Sequence, residues 1–165
     1  MSLTTRDPRL DAWRAFLVAH AKVTRKLDEE LRAEHSLSLA EYDALVQLAQ
    51  ARGRRLRMNQ LADRVVLSRS GITRLVDRLE ADGLVARSSC ATDARGSEAI
   101  LTEAGRARLR AAAATHLRGI ERYFIAGVGP TELVTIERSL GRLADRVDAE
   151  VGPVAVGEEA DPTGS

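Results

Sequence analysis

Aromatic residues make up only 3% of the 165-residue chain. Leu, Val, Ile and Ala must therefore fill the core, a composition that suits helix packing better than a large β-sandwich. Cysteine occurs once, at Cys90, which rules out an intramolecular disulfide and a multi-cysteine metal site and makes a reducing cytoplasm the expected setting. No apolar run reaches about 18 residues and no basic-then-apolar leader is present, so neither membrane insertion nor export is expected. His20, His35 and His116 lie far apart in the chain and show no ligand spacing with Cys, Asp or Glu, so no metal site is expected. GxSxG, glycine-rich phosphate-loop and HExxH patterns are all missing, so neither enzymatic activity nor a cofactor is expected.

A large excess of charge of one sign is also lacking, since the net charge is +1. Divided along the chain, however, the charge is uneven. Residues 52–96 carry ten arginines against five acids, a net of +5 that leaves −4 for the remainder. A basic island in an acidic chain points to a localised polyanion contact, and nucleic acid fits it.

The strongest pattern lies in Asn59 to Gly83, NQLADRVVLSRSGITRLVDRLEADG. Ile72, Leu75, Val76 and Leu79 recur at helical spacing and make one buried stripe. The opposite face then carries Ser70, Arg74 and Asp77, with Thr73 and Arg78 beside them and Arg69 in the first turn. Short hydroxyls and forked cations of this kind bond base edges and phosphates. Asn59 is placed to cap a preceding helix over Gln60–Val66, Ser68 to cap the second, and Gly83 to end it in the left-handed conformation. The two helices read as a helix-turn-helix.

Around this pair the periodicity supplies further helices. Asp11 to Glu34 carries Trp13, Phe16, Leu17, His20, Val23, Leu27 and Leu31 on one stripe, too long for a single neighbour, so part of it faces another helix or another subunit. Leu37 to Ala51 opens with a Ser38–Glu41 capping box and turns Leu45, Val46 and Leu48 inward. Leu56 and Met58 alternate with Arg57 as a very short strand. Leu84–Ser88 and Glu98–Leu101 flank the polar loop SCATDARGS as a hairpin, the wing of a winged helix. Thr102 caps a long helix through Leu109, Ala113, Leu117, Ile120 and Phe124. Pro130 opens the last one, where Leu133, Ile136, Leu140, Leu143 and Val147 are spaced 3, 4, 3, 4 as a short heptad seam. Gly, Pro, Glu and Asp dominate from Val151 onward, the composition of a flexible tail.

The stretch RMNQLADRVVLSRSGITRLVDRLEADGLVAR, followed by TDARGSEAILTEAGRARL, resembles the MarR family of bacterial transcriptional regulators over residues 10 to 148. Its specific parts are the helix pair ending in LEADGLV, the wing motif Asp93-Ala94-Arg95-Gly96 and the LTEAG at Leu101 to Gly105. The resemblance implies an obligate homodimer whose first and last two helices interlock, with each recognition helix in a major groove. It also implies a minor-groove contact by Arg95, held by Asp93, and a cleft for a small aromatic or amphipathic effector between the dimer helices and the DNA-binding lobe.

The expected fold is mainly α with a small β-hairpin wing. Residues 37–102 form the winged helix-turn-helix, 10–36 and 103–149 form a helical dimerisation region, and 151–165 form the tail. The expected function is a homodimeric, sequence-specific double-stranded DNA-binding regulator, a repressor on a pseudo-palindromic operator. The expected DNA-binding residues are Ser68, Arg69, Ser70, Thr73, Arg74, Arg78, Arg87, Asp93 and Arg95. Trp13, Phe16 and His20 are the candidate effector residues, and Leu133, Ile136, Leu140, Leu143 and Val147 the dimer seam. Two alternatives stand beside this reading: a winged helix whose basic face binds an acidic protein partner, and a regulator gated by oxidation of Cys90.

Overall fold

The computed structural model describes residues 7–65, 69–89 and 97–151. Six α-helices run in the order α1 (Pro8–His35), α2 (Leu39–Gln50), α3 (Met58–Val65), α4 (Arg69–Ala81), α5 (Glu103–Tyr123) and α6 (Pro130–Val151). Three strands, β1 (Arg55–Arg57), β2 (Val85–Ser89) and β3 (Ser97–Leu101), form an antiparallel sheet in the order β1-β3-β2, with Arg87 opposite Ala99 and Leu56 opposite the same Ala99 on the other side. This is the winged helix-turn-helix: α3 and α4 followed by the β2–β3 hairpin. Among the described residues no helix is long and apolar enough to cross a membrane, and no group of His, Cys, Asp or Glu is placed to hold a metal ion.

Local chemistry sets most element ends. Asp7 accepts the Arg9 amide hydrogen bond ahead of α1, with Pro8 in the first turn. Ser38 and Glu41 form the reciprocal capping box of α2, Ser38 Oγ accepting from the Glu41 amide at 3.2 Å and Glu41 Oε2 from the Ser38 amide at 2.8 Å. Gly83 (φ 70°) closes α4, its left-handed backbone letting the Leu84 amide reach the Leu79 carbonyl at 2.8 Å. Asn59 does not cap α3. The helix starts at Met58, directly after β1, and Asn59 lies inside its first turn, with Oδ1 accepting from the Gln60 amide.

The chain divides into two compact units, residues 1–124 and 125–165. In the first, Leu31 of α1, Leu45 and Leu48 of α2, Leu61 of α3, Ile72, Leu75, Val76 and Leu79 of α4, Val85 of β2 and Leu101 of β3 make one buried cluster. At about 1.5–3 kcal/mol for each such side chain taken out of water, this cluster is the main support of the lobe.

The long α5, read from the sequence as running through Leu109, Ala113, Leu117, Ile120 and Phe124, packs on α1 through small groups. Gly105, Ala112, Thr115 and Gly119 are buried, whereas Leu117 and Phe124 are exposed. Small residues let the helices approach closely, and a Cβ on Gly119 would meet Leu27 Cδ2 at 2.5 Å. The buried Thr115 hydroxyl donates to Glu34 Oε2 at 2.7 Å and lies 2.8 Å from His35 Nε2, so the polar groups on this seam are paired.

The second unit is chiefly α6. Leu140, Leu143 and Val147 along its heptad seam are exposed, and Leu133 and Ile136 are half-buried.

Candidate nucleic-acid interface

The four-residue apolar stripe of α4 is the reason its other side faces outward. With Ile72, Leu75, Val76 and Leu79 all at or below 2% exposure, Ser70, Thr73 and Arg74 are left exposed on the opposite side. These residues occupy the first turn and a half, at the positive dipole end of the helix. The set can therefore offer hydroxyl donors and acceptors and a guanidinium fork to a groove. Arg69 opens the helix. Ser68, Asp93 and Arg95, named from the sequence, lie outside the described residues, as does Cys90.

Two arginines expected in the DNA-contact set are engaged within the fold. Arg78 donates from Nε to Glu41 Oε1 at 2.7 Å and so joins α4 to the first turn of α2. Arg87, on β2, reaches back to α4, where its Nη2 donates to Asp77 Oδ1 at 2.5 Å and to the Thr73 carbonyl at 3.2 Å. Asp77 had Arg74 three residues away as a sequence-local partner; the ion pair it makes here is with Arg87 instead. Arg54 and Arg55 also face acids, Glu103 at 2.6 Å and Glu98 at 3.8 Å.

Glu41 is the busiest of these groups. Burial pushes its carboxyl upward, but the Arg78 guanidinium and the Ser38 amide and hydroxyl outweigh burial and hold it below the usual carboxylate range. A depressed folded-state pKa adds stability above the unfolded value of 4.5, and that stability disappears as pH falls below it. Glu41→Gln keeps an oxygen for the Ser38 amide and puts an NH2 in place of the oxygen that accepts from Arg78, so it removes the ion pair and its hydrogen bond. The variant should lose about 1 kcal/mol near pH 7, a modest figure because Arg78 is 59% exposed. Urea melts should show the gap between the two proteins closing as pH drops below 4.5. A gap that stays constant with pH would dissociate the loss from the ion pair.

A cleft of about 1060 Å³ opens between α1, α2, α3 and α5. His20, Thr24, Arg25 and Asp28 line it from α1, Leu39, Tyr42, Asp43 and Val46 from α2, Val65 from α3 and His116 from α5. Tyr42 and His116 pack ring on ring at 4.5 Å. Burial pushes the Tyr42 phenol up and lowers the His116 imidazole, with Asp43 opposing the latter, so the pair is a neutral aromatic wall at pH 7. Asp28 accepts the Leu39 amide at 2.8 Å and the Arg32 guanidinium at 2.6 Å, tying the α2 N-terminus to the wall of the cleft.

Of the effector residues named from the sequence, His20 lines this cleft. Phe16 and Trp13 continue from it up α1 as a ladder of rings, at 6.1 Å from Phe16 to His20 and 5.9 Å from Trp13 to Phe16, outside the cleft. Tyr42, Asp28, Asp43 and His116 were not found by sequence reasoning. Tyr42 carried a usable signal, being a rare ring directly after a capping box in a Leu- and Ala-built helix; His116 carried none.

The sequence profile described as MarR family matches residues 35–96. Among curated proteins none matches the chain. The crystal structure of AbsC, a MarR family transcriptional regulator from Streptomyces coelicolor, is 30% identical with a TM-score of 0.80, covering 90% of this chain and 99% of that one. Sco3205, a MarR family transcriptional regulator from the same organism crystallised in complex with DNA, is 31% identical with a TM-score of 0.79, covering 96% of each chain. Sco5413, also a MarR family regulator from Streptomyces coelicolor, is 26% identical with a TM-score of 0.74, covering 87% of this chain and 96% of its own. A helix-turn-helix with its wing, matched at 30% identity and above over nearly the full length of both chains, carries the assignment: this chain belongs to the MarR family of transcriptional regulators.

Proposed function

We propose that the protein is a cytoplasmic, homodimeric repressor that binds double-stranded DNA at a pseudo-palindromic operator and is released by a small aromatic or amphipathic effector. The observation that carries the DNA reading is the exposed Ser70, Thr73 and Arg74 set at the start of a helix whose other side is fully buried. Its 31%-identical relative Sco3205 was crystallised with DNA, which supports the same role here. In this reading Ser68, Arg69, Ser70, Thr73 and Arg74 meet bases and phosphates in the major groove, and Arg95, oriented by Asp93, meets the minor groove beside it. A guanidinium suits a narrow, negative groove better than a lysine does. Selection of bound duplexes from random oligonucleotides tests the proposal. An enriched inverted repeat with half-sites about one helical turn, 34–36 Å, apart is the expected result; no enrichment over input, or retention of an acidic protein in its place, would remove it.

The dimer is supported by unpartnered apolar surface. Trp13, Phe16, Leu17 and Val18 on α1 and Leu140, Leu143 and Val147 on α6 are exposed in a single chain, more than a lone soluble domain leaves to water. A second copy covers such surface by symmetry. Leu140→Asp puts a charge in the middle of the α6 seam and should convert the dimer to monomer, or unfold it, in sedimentation at micromolar concentration. A folded dimer in that variant would refute the seam as an interface.

The effector reading rests on the cleft. Its neutral Tyr42–His116 wall accepts a planar ring, while Arg25 and His20 on α1 offer polar partners. Because the cleft is walled by α2, and α2 holds Arg78 of the recognition helix through Glu41, an occupant that shifts α2 also shifts α4.

A further inference from the structure

Arg87 occupies an odd position for a DNA contact. It lies at the middle of β2, two residues before the strand ends at Ser89, with only 28% of its side chain exposed. Its side chain and its backbone both point at α4. Nη2 reaches Asp77 Oδ1 and the Thr73 carbonyl, Nε lies 3.6 Å from Glu80 Oε2, and the Arg87 amide donates to Glu80 Oε1 at 3.2 Å. Thr73, Asp77 and Glu80 are spaced i, i+4 and i+7, so the three acceptors form one row along α4. A single arginine therefore spans two turns of the recognition helix. The β2–β3 pairing passes this hold to β3, through Arg87 opposite Ala99, and so to both stems of the wing.

From this we infer that Arg87 is a positioning residue: it fastens the wing's first strand to the recognition helix, so that helix and wing meet DNA as one rigid reader. The inference rests on the DNA-binding reading above and deepens it. The chemistry favours arginine here over any other cation. A planar fork can satisfy a carboxylate and a carbonyl together, whereas the ammonium of lysine is a point charge on a flexible stem. Asp77 and Glu80 neutralise the guanidinium locally, which leaves Arg87 little to offer a phosphate. Its value to DNA binding is geometric, since a groove contact by α4 and one by the wing act together only if their separation is fixed beforehand.

Charge-conserving and charge-removing variants separate this role from phosphate contact. With the selected duplex, Arg87→Lys and Asp77→Asn should each weaken specific binding by about tenfold, the scale of one well-placed base contact. Binding to unrelated duplex should change far less, and the slope of log affinity against log salt should stay at the wild-type value. Were Arg87 a phosphate contact, Arg87→Lys would bind like wild type. Asp77→Asn would then bind more tightly, because it frees a cation and removes a negative charge from the DNA side. Either result overturns the inference. Without DNA, both variants should show faster amide exchange at Val85–Ser89 and Ser97–Leu101, and unchanged protection there would also overturn it. If wild type itself selects no duplex, the DNA reading fails, and the exchange experiment still decides whether Arg87 fastens the wing.

Discussion

Raising monovalent salt from about 50 to 200 mM is expected to weaken binding of the selected duplex by about 10³- to 10⁵-fold, the response of a protein that neutralises 6–10 phosphates. The fold lowers that number. Of the ten arginines in residues 52–96, four are turned to internal acids, Arg54 to Glu103, Arg55 to Glu98, Arg78 to Glu41 and Arg87 to Asp77. These four are committed within the fold, which lowers the number left for phosphates, and a dimer doubles whatever remains. Helix N-termini and hydroxyls add contacts that displace few of the cations condensed on the DNA and steepen the slope little. A titration by fluorescence anisotropy at four or five salt concentrations gives the slope directly. A slope below about two phosphates would be too shallow for a dimer reading both half-sites, and a flat response would exclude nucleic acid as the partner of the basic island. Arg74→Ala should reduce the slope by about 1 if its guanidinium sits on a phosphate; if it reads a base, it should instead relax sequence preference.

The same four ion pairs mark where the sequence stopped being informative. The Ile72–Leu79 stripe, the Ser38–Glu41 box, the Gly83 turn and the Thr102 cap are all decided within a few residues, and local spacing revealed each of them. An arginine on a helix face looks the same whether it meets a phosphate or a carboxylate 37 positions away, as Arg78 meets Glu41. Arg87 and Asp77 are ten residues apart on different elements, beyond the reach of any helical or strand period. On α5, large apolar side chains drew attention to Leu117 and Phe124, whereas burial went to Gly105, Ala112, Thr115 and Gly119, of which Thr115 and Gly119 meet α1. Close helix approach selects small residues, and a hydrophobicity period is blind to them. The cleft is assembled from four helices, so its Tyr42–His116 wall exists only once α2 and α5 have packed.

Gly105→Ala should be the most damaging single-methyl change in the described chain. The glycine lies in the first turn of α5, and a Cβ there would fall inside the Leu84 carbonyl oxygen and 2.8 Å from Leu101 Cδ1. The oxygen has little room to retreat. The Thr102 hydroxyl donates to the Leu84 and Gly83 carbonyls at 3.0 and 2.8 Å, the Thr102 amide reaches the Leu84 carbonyl at 3.2 Å, and the same hydroxyl accepts the Gly105 amide at 2.9 Å. These bonds join the end of α4, the base of the wing and the start of α5 at one point. An added methyl must push β2 from α5 or unseat the cap. Overpacking against backbone should cost about 3 kcal/mol, the upper end of its usual range, and exceed the gain in helix propensity of about 1 kcal/mol that Gly to Ala brings on a free helix. A drop in melting temperature of about 5–10 °C would follow for a chain of this size. Thr102→Ser keeps the hydroxyl and should be nearly silent, so the pair of variants separates steric crowding from loss of the cap. A Gly105→Ala protein as stable as wild type would mean that α5 can slide away from Leu84 at no cost, and the junction between recognition helix, wing and α5 would then be a soft joint.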